Sequence, residues 1–280
     1  MPPRSLIEEH ASAFAAELHA ATRIAKAVAP IALRYHRTDL QVDRKAGNEP
    51  VTIADRMCST FIVEELQRAF PGDTVVSEEV ADTKERLQNS RVWYVDPIDG
   101  TKDFIRGAKT YCIMIGLAID HEPKIGVVYQ PNHESLIFAA EGSGAWSIAG
   151  GTTSRLRVSR MSDISHGRLL TTSVAQSSEV QNLIGIKGAD KIGSIGMKMC
   201  ALAAGASDIY VNPATNCSSW DTCAPQVILQ EAGGKMTRLS GQPLCYDNAN
   251  TMHHQEGLIA TNGSLHDAVV AKFSSLSGGQ

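Results

Sequence analysis

The segment 93–104, which reads Trp-Tyr-Val-Asp-Pro-Ile-Asp-Gly-Thr-Lys-Asp-Phe, constrains the fold of this chain more than any other. An apolar run of β-forming residues at 92–95 leads directly to Asp96 and Asp99. The chain can then turn sharply at Gly100, because glycine tolerates backbone conformations that other residues avoid. The pattern predicts a strand that ends in two carboxylates and a tight turn.

The chemistry of this segment favours a metal ion and a phosphate group together. Two carboxylates three residues apart can converge on one hard cation, which prefers oxygen ligands. Pro97 lies between them and stiffens the backbone. The N–H groups of Gly100 and Thr101 would point into the same pocket, and backbone N–H groups at such a turn bind phosphate oxygens.

Four motifs in the chain, taken together, resemble those of one enzyme family. They are Asp-Pro-Ile-Asp-Gly-Thr at 96–101, Ser-Glu-Glu at 77–79, Pro-Val-Thr-Ile-Ala-Asp at 50–55 and Trp-Asp-Thr-Cys-Ala-Pro at 220–225. Their order and spacing are similar to those of the inositol monophosphatase superfamily, which are lithium-sensitive, magnesium-dependent phosphatases. The resemblance covers nearly the whole chain and implies a phosphoric monoester hydrolase.

The resemblance also implies a site for two Mg²⁺ ions, with a third, weaker ion near Glu78 and with Mn²⁺ as a substitute. One ion would be held by Glu78, Asp96 and the backbone carbonyl of Ile98, and the second by Asp96, Asp99 and Asp221. Such ions place positive charge on both the entering water and the departing oxygen of a phosphate ester. Without metal, these four acids would repel each other strongly if they lay close together, which argues against their being ordinary surface residues.

Water, not a side chain, is the expected nucleophile, because the chain has no Cys-Arg phosphatase loop. By resemblance, the hydroxyl of Thr101 is the water-orienting threonine of the family, which pairs with an acid a little before the Val-Thr of the 50–55 motif. Bisphosphate nucleotidases usually carry that acid where Gly47 stands, while Glu49 occupies the position used by inositol phosphatases. We therefore predict that Glu49 pairs with Thr101.

Three polar residues near these motifs have structural as well as functional interpretations. We predict that Glu79 orients a metal ligand, although a surface salt bridge explains it almost equally well. Thr52 would hydrogen-bond near the site, but its β-branched side chain also suits a strand. Asp221 directly precedes a helix, where Asp is a favoured N-cap, and capping can coexist with metal binding.

The predicted substrate contacts come from the central turn and from the second half of the chain. The run at 193–198, followed by 204–210, resembles the 3′(2′),5′-bisphosphate nucleotidase branch, in which a lysine meets a substrate phosphate. Lys198 stands at that position. The complete set of predicted substrate contacts is Gly100, Thr101, Thr172, Ser194 and Lys198.

Several substrates remain open for this predicted centre. Removal of the 3′-phosphate of adenosine 3′,5′-bisphosphate is the first expectation. However, that branch often has an Arg and a His near Thr172, where Val174 and Ala175 follow here. Inositol monophosphate is the alternative, and histidinol phosphate or a sugar phosphate would use the same metal centre. A metal-dependent binding protein with little turnover is an alternative of another class.

Composition argues against several other functions. The net charge of −4 and the pI near 6.1 give no basic surface for a nucleic-acid polymer. The chain lacks an apolar run of roughly 18 residues and an N-terminal signal peptide, so we expect no membrane partner. The six cysteines show no close paired spacing, which favours reduced thiols and a cytoplasmic protein. Its oligomeric state is left open between a monomer and a homodimer. His253 and His254 lie in a predicted loop without the spacing of a zinc site.

Hydrophobic periodicity predicts an α/β (α+β) protein with two intimately packed halves, 1–152 and 153–280, joined at a Gly, Ser and Thr cluster at 150–154. A long amphipathic helix should start at Ile7 and end near Pro30 or soon after, and a second helix should end near Phe70. Predicted strands cover 74–77, 92–95, 111–119, 125–129, 136–139, 168–173, 192–194, 208–211 and 258–261. Predicted helices in the second half cover 197–206, 222–232 and 265–273. The resemblance implies an αβαβα layered fold.

Overall fold

Two β-sheets alternate with three helical layers in the computed structural model, which describes residues 13–39, 41–45, 49–172 and 174–277. The helices are α1 (Ala15–Tyr35), α2 (Ile53–Ala69), α3 (Thr101–Ile105), α4 (Val174–Ile184), α5 (Ile195–Ala203), α6 (Ser219–Glu231) and α7 (His266–Ser277). The strands of the first half are β1 (Val42–Arg44), β2 (Pro50–Thr52), β3 (Thr74–Ser77), β4 (Arg91–Asp99), β5 (Cys112–Ile119), β6 (Glu122–Gln130), β7 (Ser135–Ala140), β8 (Ala145–Ala149) and β9 (Thr152–Arg155). Those of the second half are β10 (Leu169–Thr171), β11 (Asp190–Lys191), β12 (Ile209–Asn212), β13 (Lys235–Arg238) and β14 (Leu258–Thr261).

The larger sheet has seven strands in the order β3-β4-β5-β6-β7-β8-β9. The β3–β4 pair is parallel, and the following pairs are antiparallel, so β4 to β9 form a meander. The smaller sheet has five strands in the order β11-β10-β12-β14-β13, and β1 with β2 forms a short antiparallel ribbon. Among the described strands of the larger sheet, β3 and β4 are the neighbouring pair whose carboxyl ends lie side by side at one edge, and an acid follows or ends each of them.

Buried clusters on the faces of the sheets give the layer order. Successive side chains of a strand point to opposite faces, so Trp93 packs with α1 and α2 while Tyr94 packs with α5 and α6. The five-stranded sheet covers the other side of α5 and α6, and α4 and α7 cover its outer face through residues such as Val180 and Val269. The resulting αβαβα order confirms the predicted fold.

Helix α1 confirms the predicted first helix over its described part. Ile7 and Ala11 lie outside the described residues, and Leu18, Ala21, Ala25 and Val28 are buried against the sheet. The helix continues past Pro30 to Tyr35. A helical proline removes one backbone hydrogen bond, and burial of Ala32 beyond it supports the last turn. No helix among the described residues is long and apolar enough to cross a membrane.

The predictions for the second half need two corrections. The segment 192–194 is not a strand, because the strand is Asp190–Lys191 and Ser194 caps α5 by accepting from Met197 N at 3.0 Å. Helix α4 carries no prediction at all. In the cluster at 150–154, Gly150 and Gly151 form the β8–β9 turn with φ of 55° and 77°. Strand β9 still belongs to the seven-stranded sheet, and the division at 152/153 stays a prediction.

Helix α6 lies unusually close to strands β5 and β6, because glycines occupy the contact. A Cβ atom added to Gly116 would lie 2.7 Å from Ala224 N, and one added to Gly126 would overlap Ala224 O. Both distances are well below ordinary van der Waals contact. These glycines therefore fix the depth of α6, whose first turn carries Asp221.

We predict that Gly126→Ala lowers the free energy of unfolding by about 3 kcal/mol, because the methyl group would force α6 off the sheet. Urea unfolding followed by circular dichroism measures this effect. Gly72→Ala is the matched control, since a Cβ there meets no atom within 4 Å, and it should be nearly neutral. Equal stability of the two variants would contradict the packing argument.

Candidate metal centre and active site

A cavity of about 680 Å³ opens at the carboxyl end of β4 and contains most of the predicted site residues. Its wall includes Glu78, Asp96, Ile98, Asp99 and Asp221. Acids from distant parts of the sequence thus face one space. Gly100, Thr101, Glu49 and Thr172 also line it.

Three structural devices deliver these acids. Ser77 pairs with Val95 in the parallel β3–β4 register, so Glu78 and Asp96, the next residue on each strand, lie at the same sheet edge. The β4–β5 register shifts between Asp96 and Asp99, and this irregularity places both acids near the end of the strand. Asp221 comes from the opposite side, on the first turn of α6.

Asp96 is the most central acid of the cavity. Its side chain is buried, and its Oδ1 accepts a hydrogen bond from Ile98 N at 3.0 Å. Burial, followed by the charges of Glu78, Asp99 and Asp221, raises its pKa well above the ordinary value. An unscreened carboxylate is therefore costly at this position.

Asp99 interacts with the start of helix α5. Its Oδ2 accepts from Ser194 Oγ and from Gly196 N, both at 2.6 Å, and its Oδ1 accepts from Ile195 N at 3.2 Å. Burial raises its pKa, although these donors oppose the rise. Ser194, predicted as a substrate contact, is fully buried and contacts Asp99.

Asp221 takes part in the cap of α6 as its third helical residue, whereas the N-cap itself is Ser218, so the predicted N-cap position is corrected and the metal role stays a prediction. Its Oδ2 accepts from Ser218 N at 2.6 Å, which completes a capping box at the start of α6. Burial and the charges of Glu78 and Asp99 raise its pKa well above the ordinary value. The cap therefore fixes the side chain while leaving it within the electrostatic field of the other acids.

Glu78 and Glu79 share one cation. Lys45 Nζ donates to Glu78 Oε1 at 2.8 Å and to Glu79 Oε1 at 2.5 Å. Burial raises the pKa of Glu78 to about 7, even though the charge of Lys45 acts against the rise. Glu79 therefore forms a salt bridge, although its side chain is largely buried and not on the surface, and its predicted role in orienting a metal ligand stays a prediction.

The donor set of the cavity fits hard divalent cations. Carboxylate and carbonyl oxygens are the ligands that Mg²⁺ and Ca²⁺ prefer, and added positive charge would relieve the repulsion that raises the acid pKa values. Among the residues described, no three Asp, Glu, His or Cys side chains already form a group that could hold an ion. Each acid instead contacts a protein donor: Ile98 N, the α5 start, Ser218 N or Lys45. Cation binding would exchange these partners.

Thr101 contacts a different acid from the one predicted. Its Oγ1 donates to Asp55 Oδ1 at 3.3 Å and to Ile98 O at 3.1 Å. Glu49 is exposed on the cavity wall, while Asp55 is buried on the first turn of α2. The predicted pairing with Glu49 is therefore corrected to Asp55, and Gly47 lies outside the described residues. Thr52 caps α2 and donates to Asp55 Oδ2 at 2.6 Å.

Lys198 lies behind the cavity wall and does not line it. Its side chain is 1% exposed, and its Nζ donates to Thr172 Oγ1 at 2.8 Å and to Gly193 O at 3.2 Å. The ammonium group also lies 4.7 Å from the centre of the Tyr210 ring. Burial lowers the pKa of Lys198 to about 8. Lys198 is therefore linked to the cavity through its hydrogen bond to Thr172, which lines the cavity.

Several other cavity residues were given no site role from the sequence. They are Lys102 on α3, Arg106 directly after α3, Asn216 and His253. His253 Nδ1 lies 2.8 Å from Ser218 Oγ, and its ring meets Trp220 edge-on at 6.5 Å. No local pattern marks these residues, because a loop and a short helix carry them. Asp55, by contrast, belongs to the 50–55 motif and was recognisable there.

Comparisons with known proteins find related sequences and structures over most of this chain. A sequence model of the inositol monophosphatase family matches residues 15–277. A histidinol-phosphatase of Mycobacterium tuberculosis is 34% identical over 249 residues, 86% of this chain and 91% of that protein. The 3′(2′),5′-bisphosphate nucleotidase CysQ of Aggregatibacter actinomycetemcomitans is 31% identical over 219 residues, 76% of this chain and 81% of that protein. A solved Thermotoga maritima IMPase has a TM-score of 0.79 and 28% identity, covering 93% of this chain and 98% of its own.

We predict that Asp96→Asn raises the melting temperature of the metal-free protein by roughly 2–6 °C. The amide keeps an acceptor for Ile98 N but removes a buried charge that Glu78, Asp99 and Asp221 repel. Differential scanning calorimetry in the presence of a chelator measures this change. Added Mg²⁺ should stabilise the wild-type protein and should have little effect on the variant.

Asp208→Asn is the matched control for this substitution. Asp208 is equally buried, but its bonds to Arg168 and Ser159 outweigh burial and lower its pKa. Removing that charge should lower the melting temperature, because Arg168 loses its ionic partner. Destabilisation by both substitutions would contradict the repulsion inferred at Asp96.

Proposed function

The chain belongs to the inositol monophosphatase family and is a phosphatase of phosphate monoesters, and from this membership we propose that it removes the 3′-phosphate of adenosine 3′,5′-bisphosphate with the help of Mg²⁺. The observation that carries the proposal is the group of four buried or half-buried carboxylates on one cavity wall, Glu78, Asp96, Asp99 and Asp221. Bound there, two or three Mg²⁺ ions, or Mn²⁺, would supply positive charge to the phosphate and to the attacking water. Family membership also makes lithium inhibition an expectation.

The proposed ligand sets are those of the resemblance. Glu78, Asp96 and the Ile98 carbonyl would hold one ion, and Asp96, Asp99 and Asp221 the other. The cavity supports this assignment, because all five residues line it. Glu79 and Thr52 are proposed to orient neighbouring groups through Lys45 and Asp55, which they contact.

The proposed phosphate contact is the turn at Gly100 and Thr101. Gly100 has a φ of +94°, and a Cβ atom added to it would lie 3.3 Å from Ser194 Cβ. The left-handed conformation favours glycine and leaves no room for a side chain. The N–H groups of both residues would bind phosphate oxygens at this turn, and the Thr101 hydroxyl would orient the attacking water.

Positive charge at the cavity rim supports a substrate with a second phosphate. Lys102 and Arg106 are exposed, line the cavity and stand four residues apart at α3, where side chains share one face. Lys198 adds charge behind Thr172. A nucleotide with two phosphates could place one at the acid cluster and one against these cations. The CysQ relative also supports a substrate of this kind.

Histidinol phosphate is the second candidate, and one observation favours it. Glu49 places an exposed carboxylate on the same cavity wall, where it could meet the amine of a cationic alcohol. The histidinol-phosphatase relative matches 86% of this chain. Inositol monophosphate remains a further alternative, because the Thermotoga structure with the same fold is an IMPase.

The proposed setting is the cytoplasm, as a monomer or homodimer. All six cysteines are free thiols, and five of them are buried. Reduced thiols in this number are typical of intracellular proteins.

We predict that kcat/KM for adenosine 3′,5′-bisphosphate exceeds that for inositol 1-phosphate and histidinol phosphate by about tenfold or more. Phosphate release, measured with and without Mg²⁺, tests this directly. A preference for either of the other two esters would change the proposed substrate but would leave the phosphatase activity standing. If none of the esters is hydrolysed in a metal-dependent way, the alternative of a metal-dependent binding protein with little turnover would be favoured.

Substitution of Lys102 and Arg106 by Met identifies the source of this preference. The double variant should lose about tenfold or more in kcat/KM for the bisphosphate, because the second phosphate of the substrate loses its charged partners at the cavity rim. Its activity on inositol 1-phosphate should change less. Lys124→Met is the control, since Lys124 lies on β6 outside the cavity and pairs with Glu122 and with Glu141, which follows β7. Equal losses on both substrates would contradict a second phosphate contact.

A further inference from the structure

His253 lies on the cavity wall but takes no part in the metal or phosphate contacts proposed above. It is exposed, while its chain neighbours Met252 and His254 are buried. It also forms an isolated antiparallel bridge with Ser218. Successive side chains of extended backbone point to opposite sides. The bridge therefore turns His253 toward the cavity and its two neighbours toward the core.

The backbone that carries this histidine is fixed against helix α6. Ser219 N, on the first turn of the helix, donates to Met252 O at 2.9 Å. The buried ring of His254 adds a side-chain contact, since its Nε2 lies 2.8 Å from Thr222 Oγ1. Burial lowers the pKa of His254 to about 4, so this ring stays neutral. His253 is thus held in place by contacts that its own side chain does not make.

Ser218 fixes the orientation of the His253 ring. Its Oγ lies 2.8 Å from His253 Nδ1. When the hydroxyl donates to Nδ1, the neutral imidazole carries its proton on Nε2. Within the described part of the chain, no residue forms a hydrogen bond with Nε2. His253 therefore offers an N–H donor to a ligand in the cavity.

An aromatic surface stands beside this donor. Trp220 also lines the cavity and is half-buried. Its ring and that of His253 meet at 66°, with centroids 6.5 Å apart. An edge-on pair of this kind covers only part of each ring, so a third planar group can stack on it. Nitrogen heterocycles such as nucleobases stack on aromatic side chains and also accept hydrogen bonds at their ring nitrogens.

We propose that His253 and Trp220 bind a nitrogen heterocycle in the alcohol part of the substrate, with His253 Nε2–H donating to a ring nitrogen. The cavity of about 680 Å³ has the size of an ordinary small-molecule site. This assignment rests on the proposed phosphatase function and names the substrate class: esters of alcohols that carry such a ring. Adenosine bisphosphate and histidinol phosphate belong to this class, and inositol 1-phosphate does not.

A comparison of adenosine 3′,5′-bisphosphate with ribose 3,5-bisphosphate, which lacks the base, tests the proposal. The wild-type protein should prefer the adenosine ester by about tenfold or more in kcat/KM. His253→Ala should remove most of this preference by raising KM for the adenosine ester, and the base-free ester should be affected far less. His253→Gln, which keeps an N–H donor, should retain more of the preference than His253→Phe, which keeps only a ring.

Binding of adenosine 5′-monophosphate gives a readout besides turnover. A base stacked on Trp220 should quench its fluorescence, and Trp220→Phe should abolish that quenching, because Trp93 and Trp146 do not line the cavity. Ribose 5-phosphate should cause little quenching. His253→Ala should weaken binding of the monophosphate by about tenfold. His133→Ala is the matched control, since His133 is exposed between β6 and β7 and lies outside the cavity wall.

Two outcomes would overturn the assignment. One is an unchanged preference for the adenosine ester in His253→Ala and His253→Phe. The other is an equal loss on the adenosine and base-free esters, which would mean that His253 only supports Ser218 and the start of α6. A wild-type protein that hydrolyses no ester would refute the phosphatase function itself. Quenching by adenosine monophosphate would then still test the ring site, so the two failures are distinguishable.

Discussion

The burial of several carboxylates around one cavity is the constraint on which the rest of the structure depends. Burial and mutual repulsion both raise the pKa values of Asp96 and Asp221. A chain can tolerate such a cluster only if each acid has a donor, and each acid here has one from a different element. Backbone N–H groups serve Asp96 and Asp221, the start of α5 serves Asp99, and Lys45 serves Glu78. Bound divalent cations would supply to these acids the positive charge that the protein donors now supply.

The layered fold explains how the acids come together. A parallel β3–β4 pair brings two strand ends to the same edge, and helices α5 and α6 begin opposite that edge. Close packing at Gly116 and Gly126 holds α6 against the sheet, so the position of Asp221 depends on strands far from it in sequence. We therefore expect stability and function to be opposed at this point, because the residues proposed to bind cations should destabilise the metal-free protein.

Local patterns in the sequence predict much of this arrangement. The apolar run before Asp96, the turn at Gly100 and the helix start at Asp221 are all encoded within a few residues. The αβαβα order came from family resemblance, and the buried clusters confirm it. Long-range partners were not predictable in the same way. Ser194 contacts Asp99 across 95 residues of sequence, and Thr101 contacts Asp55 across 46. Hydrophobic periodicity does not show which of the two nearby acids, Glu49 or Asp55, faces inward. The buried position of Lys198 likewise depends on Thr172 and Tyr210.

The central claim is that the metal-free acid cluster is held partly protonated and is ready to exchange protons for cations. Calorimetric titration of the metal-free protein with Mg²⁺ at neutral pH, in buffers of different ionisation enthalpy, tests it most directly. Because burial raises the pKa of Glu78 to about 7 and also raises the pKa values of Asp96 and Asp221, saturable binding should release protons. Absence of saturable binding, or binding without proton release, would contradict the account.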